Sequence, residues 1–255
     1  MRPAGVPSGR HRRRRPHPGR SEKKGARAAH RGSPPREASF PEGGALPSSK
    51  GRVLRKPRGG LMGEIRISGG REKGRKLKTL KGSATRPTSG RVKEALFNIL
   101  GPRIRNARFL EPFGGSGAVS FEAISRGAEK AAIFEMARDA SRVIEENLAL
   151  LGYQNNIRLL QGDFSKGLAI LEKEGSSFDL VFLDPPYGGK LALECLQALV
   201  KKGIVCLDGW IVLEHRSNED FPEAVEEWRK TKTYRYGETS LSIYAFTRGT
   251  VESGE

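Results

Sequence analysis

The sequence predicts an α/β fold: a mostly parallel sheet with helices on both faces, ending in an antiparallel hairpin. Three observations carry this. Apolar strand-like runs alternate with amphipathic helical stretches through the middle of the chain, an order that sets neighbouring strands parallel with helices crossing between them. Glycine- and acid-bearing motifs fall just after those runs, where open sheets of this kind bind ligands. Near the end the alternation stops, and "WRKTKTYRYGETSLSIYAFT" reads as two strands about Gly237.

The elements follow in order. "GEIRISGG" and "RKLKTL" are short strands broken by Gly69, Gly70 and Gly74. "TSGRVKEALFNILG" places Val92, Ala95, Leu96, Ile99 and Leu100 on one helical face, and Gly101-Pro102 stops that helix. Strand 107–111 leads to the helix "AVSFEAISRG", and strand 130–135 to the helix "DASRVIEENLALLG". Strand 156–161 precedes "SKGLAILEKE", strand 178–184 precedes "LALECLQALVKKG", and strand 209–216 precedes the hairpin. There is no internal repeat.

The chain has 255 residues, with 46 Lys and Arg against 29 Asp and Glu, a net charge of +17. The excess is local. Residues 1–61 hold 17 basic and 3 acidic side chains, a net of +14, so the remainder carries only +3. That first segment is rich in Arg, Pro, Gly and Ser and too poor in apolar residues to offset its ordering entropy, which predicts disorder. Three readings of it stay open. It is a nucleic-acid-binding arm, with Arg12 to Arg15 as its electrostatic footprint. It is an organellar targeting segment, although its prolines and glycines spoil an amphipathic helix. Or it is not translated, and Met62 is the first residue.

No run approaches the roughly 20 apolar residues of a bilayer span, and there is no secretory apolar core. Cys195 and Cys206 lie at no metal-ligand spacing, which predicts reduced cysteines in a cytoplasmic protein. Three of the four histidines (His11, His17, His30) fall in the tail, leaving His215 alone for the fold. Histidine-based metal or triad chemistry is therefore disfavoured, and no metal is expected.

After the first strand of the alternation stands "EPFGGSGAVS" (111–120). Gly115 and Gly117 let the backbone turn tightly and approach a ligand. The lysine of a phosphate-cradling loop is missing, and Ser120 stands where a dinucleotide fingerprint needs its last glycine. ATP hydrolysis and a nicotinamide cofactor are disfavoured accordingly, while a purely structural turn stays open for the glycines alone. Glu135 ends the next strand about 20 residues on, where an acid suits two ribose hydroxyls, though a solvated strand-end glutamate is the plainer alternative. Asp163 and Phe164 in "QGDF" suit a base's exocyclic amine and the face of its ring, and helix capping by Asp163 can coexist with that. Together these describe a nucleoside pocket without a phosphate cradle. S-adenosylmethionine (SAM) answers to it, with adenine, ribose and a cationic sulfonium in place of a pyrophosphate. Glu111 would face its charged methionine end through water, and Phe113 and Ser116 of the same turn are assigned to the cofactor with Glu111.

The sharpest motif is Asp184-Pro185-Pro186-Tyr187, directly after the apolar run "FDLVFL", for which a proline-stiffened strand exit is the plainer alternative. The Asp184 carboxylate and the Pro185 carbonyl can each accept one N–H of an exocyclic amine. The amine lone pair of guanine, adenine or cytosine is delocalised into the ring and is a poor nucleophile. Two acceptors draw the nitrogen toward tetrahedral geometry, aim its lone pair and stabilise the positive charge that develops on methyl transfer. Prolines fix the backbone so that the carbonyl is pre-aimed, and Tyr187 offers a face to an extruded base. No general base is required, because a methylated ammonium loses its proton easily.

"EPFGGSG", Glu135, "QGDF" and "DPPY" resemble the motifs of class I SAM-dependent methyltransferases that act on exocyclic amines. "IRISGGREKGRKL", "TRPTSGRVKEALFNIL" and "YGETSLSIYAF" resemble, more narrowly, the RsmD family, bacterial methyltransferases that modify guanine N2 in 16S ribosomal RNA. The match spans about residues 62–247. It implies a Rossmann-like, seven-stranded sheet with the last hairpin reversed, SAM as methyl donor, and 16S rRNA within the small ribosomal subunit or its assembly intermediate as substrate. With the composition of the tail, the expected division is a tail at 1–61, a basic N-terminal hairpin at 62–87, a methyltransferase domain at 88–248 and a disordered terminus at 249–255. One departure stands out. The first strand in that family more often ends in aspartate followed by Leu-Phe-Ala-Gly, where this chain has Glu111, Pro112, Phe113 and Gly114.

Segment 66–91 carries nine Lys and Arg against Glu72 alone, and its glycines predict a mobile basic arm for a phosphate backbone. Arg71, Lys73, Arg75 and Lys76 are its expected RNA contacts, with Arg86 and Arg91 reaching toward the pocket mouth. An ordinary solvated basic hairpin is the plainer alternative. Two other functions compete. A DNA adenine-N6 or cytosine-N4 methyltransferase shares the Asp-Pro-Pro-Tyr chemistry, but little chain follows the core to supply a sequence-recognition domain. A non-catalytic RNA-binding or assembly protein would keep the fold, and the intact Asp184, Pro185 and Tyr187 argue against it.

Overall fold

The computed structural model describes residues 61–80, 90–186 and 188–247. The tail and its three readings, Arg86, Tyr187 and the terminal segment 249–255 lie outside the described residues.

The chain runs β1 (Leu61–Arg66), β2 (Lys76–Leu80), α1 (Gly90–Leu100), a 3-10 turn (Gly101–Ile104), β3 (Arg108–Glu111), α2 (Ala118–Ser125), β4 (Lys130–Glu135) and α3 (Arg138–Leu151). It continues with β5 (Ile157–Gln161), α4 (Phe164–Glu174), β6 (Phe178–Leu183), α5 (Gly188–Lys201), β7 (Val205–Arg216), β8 (Ala224–Val225), β9 (Trp228–Tyr236) and β10 (Thr239–Phe246). The main sheet has the order β5-β4-β3-β6-β7-β10-β9-β8. Its strands are parallel from β5 to β7 and antiparallel beyond.

The order reverses between β3 and β6, so the carboxyl ends of those two strands open a crevice where a ligand can sit. Burial on both faces explains why the central strands are unbroken apolar runs. Along β4, Ala131 and Ile133 pack under α1, α2 and α3, while Ala132 and Phe134 pack under α4 and α5. Each large side chain so buried contributes about 1.5–3 kcal/mol.

Two details correct the expected seven strands. β8, only two residues long, adds an eighth strand against the start of β9. β7 begins at Val205 and shifts register against β6 between Phe178 and Leu180, so "CLDG" belongs to an irregular strand that reads in sequence as a loop. Both cysteines are free, and burial pushes the Cys195 thiol up to about 12, leaving it inert.

The basic hairpin β1–β2 is docked, which differs from the mobile arm its glycines predict. Gly70 has φ +81°, and a Cβ there would stand 2.0 Å from the Ser125 carbonyl oxygen. The glycine serves close approach between hairpin and α2, with Arg71 N donating to Ser125 O at 2.7 Å and Glu72 N to Ser125 Oγ at 2.9 Å. Farther along, the buried Asn147 side chain of α3 accepts from Lys78 N and donates to Lys78 O, as a neighbouring strand would. A charged knot joins the pieces. Fully buried Glu122 accepts from Ser68, from Arg126 and from Lys93, which is itself 3% exposed and also donates to Arg66 O. Burial opposes the Glu122 charge, but the hydrogen bonds of Lys93 and Ser68 outweigh it and hold the carboxyl below its ordinary range.

Candidate active site

An open cleft lies over the carboxyl ends of the parallel strands and gathers the predicted motifs. Glu111, Phe113, Gly115, Ser116, Glu135, Asp163, Phe164, Asp184, Pro185 and Pro186 all line it. The glycine turn is fixed to the end of β4. Gly114 N donates to Phe134 O at 2.9 Å, and Gly117 N to Gly114 O at 2.6 Å. Gly115, at φ +53°, has open space where a side chain would project, so the floor of the cleft stays clear. Gly117 is the N-cap of α2 in the left-handed conformation.

Glu135 holds this turn directly. One of its oxygens accepts from Gly115 N and the other from Ala137 N, both at 2.7 Å. Each oxygen keeps a second lone pair, so a vicinal diol can still bind there. Asp163 caps α4, accepting from Lys166 N at 2.8 Å, and is exposed. The capping alternative therefore holds, and its second oxygen is left to the cleft. Phe164 lies parallel to Phe113 with ring centroids 5.9 Å apart, and the two rings form an apolar wall.

Glu111 is buried at the end of β3, where Ser120 N donates to its carboxylate at 2.9 Å and Ser120 Oγ donates as well. The acid is thus tied to the first turn of α2. Desolvation, opposed by Ser120 and reinforced by the nearby charges of Asp184 and Glu135, pushes its carboxyl from an ordinary 4.5 up to about 8. The folded protein then holds a proton that the unfolded chain releases above pH 4.5. Stability from this group is full below about pH 4.5 and falls as pH rises toward about 8. Glu111→Gln is expected to flatten that decline, read as urea midpoints at pH 6 and 8.5. An unchanged difference between the two midpoints would remove Glu111 as its source.

Several cleft residues carry no signal that sequence reasoning used. Met136, 72% exposed beside Glu135, offers an apolar surface, and a methionine directly after a strand-end acid is the clue that could have found it. Glu214, Arg216 and Glu238 line the far wall, supplied by β7 and the turn before β10. His215 lies there too, with one ring nitrogen against Arg216 O and the other against Ser242 Oγ, each at 2.8 Å. Burial lowers its pKa, against the opposing bond to Arg216 O. Among the described residues no cluster of three His, Cys, Asp or Glu side chains could hold a metal ion. No described helix is long and apolar enough to cross a membrane.

The expected RNA contacts are not gathered here. Exposed Arg91 sits in the first turn of α1, whose Lys93 lines the cleft. Arg71, Lys73, Arg75 and Lys76 lie at the opposite end, against the C-termini of α2 and α3. Arg71 lies over the Tyr153 ring at 5.6 Å, and Arg75 donates to Leu150 O at 3.2 Å.

A protein-family model described as "Conserved hypothetical protein 95" matches residues 65–245. Ribosomal RNA small subunit methyltransferase D of Escherichia coli K12 is 34% identical over 191 residues, which cover 75% of this chain and 94% of that protein. This chain belongs to the RsmD family. Its RsmD relative in Haemophilus influenzae is 33% identical over 183 residues, 71% of this chain and 94% of that one. A solved structure of a hypothetical protein from Thermus thermophilus superposes with a TM-score of 0.60 at 32% identity, covering 72% of this chain and 99% of that chain. More distantly, an RNA methyltransferase of Salinibacter ruber solved with S-adenosyl-L-homocysteine has a TM-score of 0.50 at 14% identity, covering 65% and 97% of the two chains. That last likeness is one of fold alone, a Rossmann-like, mostly parallel sheet with helices on both faces.

Proposed function

We propose that this chain transfers a methyl group from SAM to the exocyclic N2 of a guanine in 16S rRNA, within the small ribosomal subunit or its assembly intermediate. The observation that carries the reading is the place of Asp184-Pro185: directly after β6, at the point of strand-order reversal, beside the glycine turn that follows β3. The names of the RsmD relatives supply the ribosomal substrate, and such an enzyme works in the cytoplasm.

The residues present fit SAM. The cleft offers an unobstructed glycine turn, a strand-end acid for a ribose, and apolar surface from Phe113, Phe164 and Met136, without a P-loop lysine for phosphates. Glu135 would hold the ribose hydroxyls, Asp163 and Phe164 the base, and Gly115, Ser116 and Gly117 the chain between them. Glu111 would face the ammonium end. Bound there, SAM supplies an electrophilic methyl group on a sulfonium.

The protein's own contribution is to position and polarise the acceptor. Asp184 and the Pro185 carbonyl accept the two N–H bonds of the guanine amine and stabilise the charge that builds on its nitrogen. Pro185 and Pro186 hold that carbonyl still, so little reorganisation accompanies the reaction. Tyr187 is assigned to stack on the extruded base. Arg71, Lys73, Arg75 and Lys76 would touch phosphates of a large RNA remote from the cleft, and Arg86 and Arg91 phosphates near its mouth.

The deciding experiment is transfer from methyl-labelled SAM to small-subunit particles that lack the modification, followed by digestion to nucleosides. Label is expected in N2-methylguanosine. Label in a different nucleoside overturns the substrate, and no label in ribosomal RNA despite SAM binding turns the reading toward a DNA amino-methyltransferase or a binding protein.

A further inference from the structure

We infer that the outer strands of the sheet carry an RNA-holding surface of their own: a row of cations and aromatic rings on the α1 side of β9, β10 and β7 that ends at the cleft. The inference rests on the RNA substrate proposed above.

Strand register builds the row. In the pairing of β9 with β10, Lys232 stands opposite Ile243 but Lys230 stands opposite Tyr244, so Thr231 is an extra residue between them. Such a bulge resets the alternation of side chains. Arg229, opposite Ala245, therefore joins Lys232, Tyr234 and Tyr236 on one face. That face is the α1 side, because Leu241 and Ile243 belong to its core and Tyr234, Tyr236 and Trp210 pack against it. Ala245 in turn stands opposite Trp210 of β7. Arg103, from the 3-10 turn after α1, lies over the Trp210 ring at 4.3 Å, and Lys232 Nζ lies over the Tyr234 ring at 4.6 Å. The three cations are exposed and the three rings half-buried.

Their charge is unspent. Among the described residues no ion pair involves Arg103, Arg229 or Lys232. Arg103 and Arg229 reach only backbone oxygens, at 3.2 and 3.3 Å, although Glu226 and Glu227 lie close by in the β8–β9 turn. Glu223 holds Lys230, which is on the other face. The N-terminal hairpin is the contrast. There Arg71 and Arg75 share Glu72, Lys78 is paired with Glu146, and Arg71 and Arg75 also bond the backbone at the C-termini of α2 and α3.

A row of unpaired cations interleaved with rings suits a nucleic-acid strand, phosphates to the cations and base or ribose faces to the rings. Protection of an exposed edge strand would account for Arg229 and Lys232. It does not account for Arg103 on Trp210, two strands inward. β9 runs toward the cleft, since Arg235 and Gly237 line it, and Arg229 to Tyr236 spans on the order of 20 Å. A strand laid along this row is led to the cleft by way of the Gly237 turn.

The test is the double variant Arg229→Gln/Lys232→Gln, with transcribed 16S rRNA as probe and affinity measured against potassium chloride concentration. Loss of two phosphate contacts is expected to reduce the salt slope by about 1.5 and to weaken binding roughly tenfold near 0.15 M salt, with SAM affinity unchanged. An unaltered slope overturns the inference. If the parent protein labels ribosomal RNA and the double variant keeps the parent slope, this surface alone is wrong. If the parent shows no salt-dependent RNA binding, the RNA substrate and this surface fall together. The single variant Lys232→Gln, expected to lower the slope by about 0.7, serves if the double does not fold.

Discussion

Asp184→Ala is expected to lower turnover roughly 10²–10³-fold while leaving affinity for SAM and for ribosomal RNA close to that of the parent. The side chain is half-buried at the exit of β6, a strand packed on both faces, so its removal leaves the scaffold standing. What disappears is an acceptor that matters most when charge has built on the amine nitrogen, and such a loss falls on kcat rather than on KM. The substitution has a second, separable signature. Asp184 is one of the charges that raise the Glu111 carboxyl, so its removal lets Glu111 ionise at lower pH. Asp184→Asn should lose less than Asp184→Ala, because its amide oxygen can still accept one N–H, as the Pro185 carbonyl does, although without the negative charge that stabilises the developing cation. Single-turnover rates within a few-fold of the parent for both variants would defeat the assignment.

Glu122→Gln is expected to destabilise the fold by about 3–5 kcal/mol, because it strands the Lys93 ammonium in a site that is 3% exposed. Lys93→Met should cost clearly less. In that variant Glu122 still has Ser68 and Arg126 as donors, and Arg126, partly exposed, can hold the charge from its edge. Urea unfolding of the two single variants gives the order, and a larger loss for Lys93→Met would contradict this account of the knot. Amide exchange at Ser68, whose N–H donates to Glu122, should accelerate before exchange in the central strands does.

The sheet was legible because its strands obey a local rule: residues buried on both faces must be apolar, and glycines and acids can return only where a strand ends. Glu111, Glu135, Asp163 and Asp184 could be placed at one rim for that reason alone. What escaped depends on partners far along the chain. Ser68 meets Glu122 across 54 residues, and nothing in "ISGGREKG" announces that Gly70 is there to touch Ser125 rather than to bend freely. The same limit hides the two-residue β8, the irregular start of β7, and above all the bulge at Thr231. One inserted residue moves Arg229 from one face of the sheet to the other, and no alternation pattern read along the strand shows it. Within the cleft, the acid of Glu135 was visible as a strand end. Its bonds to the Gly115 and Ala137 amides, which make it a brace for the glycine turn, were not.

The two ends of the folded body face opposite ways. Leu61 pairs with Leu80, a residue of the cleft wall, so β1 begins at the cleft end, whereas β10 leads from Thr239 at the cleft to Phe246 at the far end. Anyone immobilising this protein on a sensor chip or joining it to a reporter should therefore attach through the C-terminal side. A bulky fusion just ahead of Leu61 would stand at the doorway through which an RNA of ribosomal size has to come. The same fusion after Thr247 would leave that doorway open to solution and would stand instead beside Arg229, at the outer end of the row of cations, so a long linker belongs there.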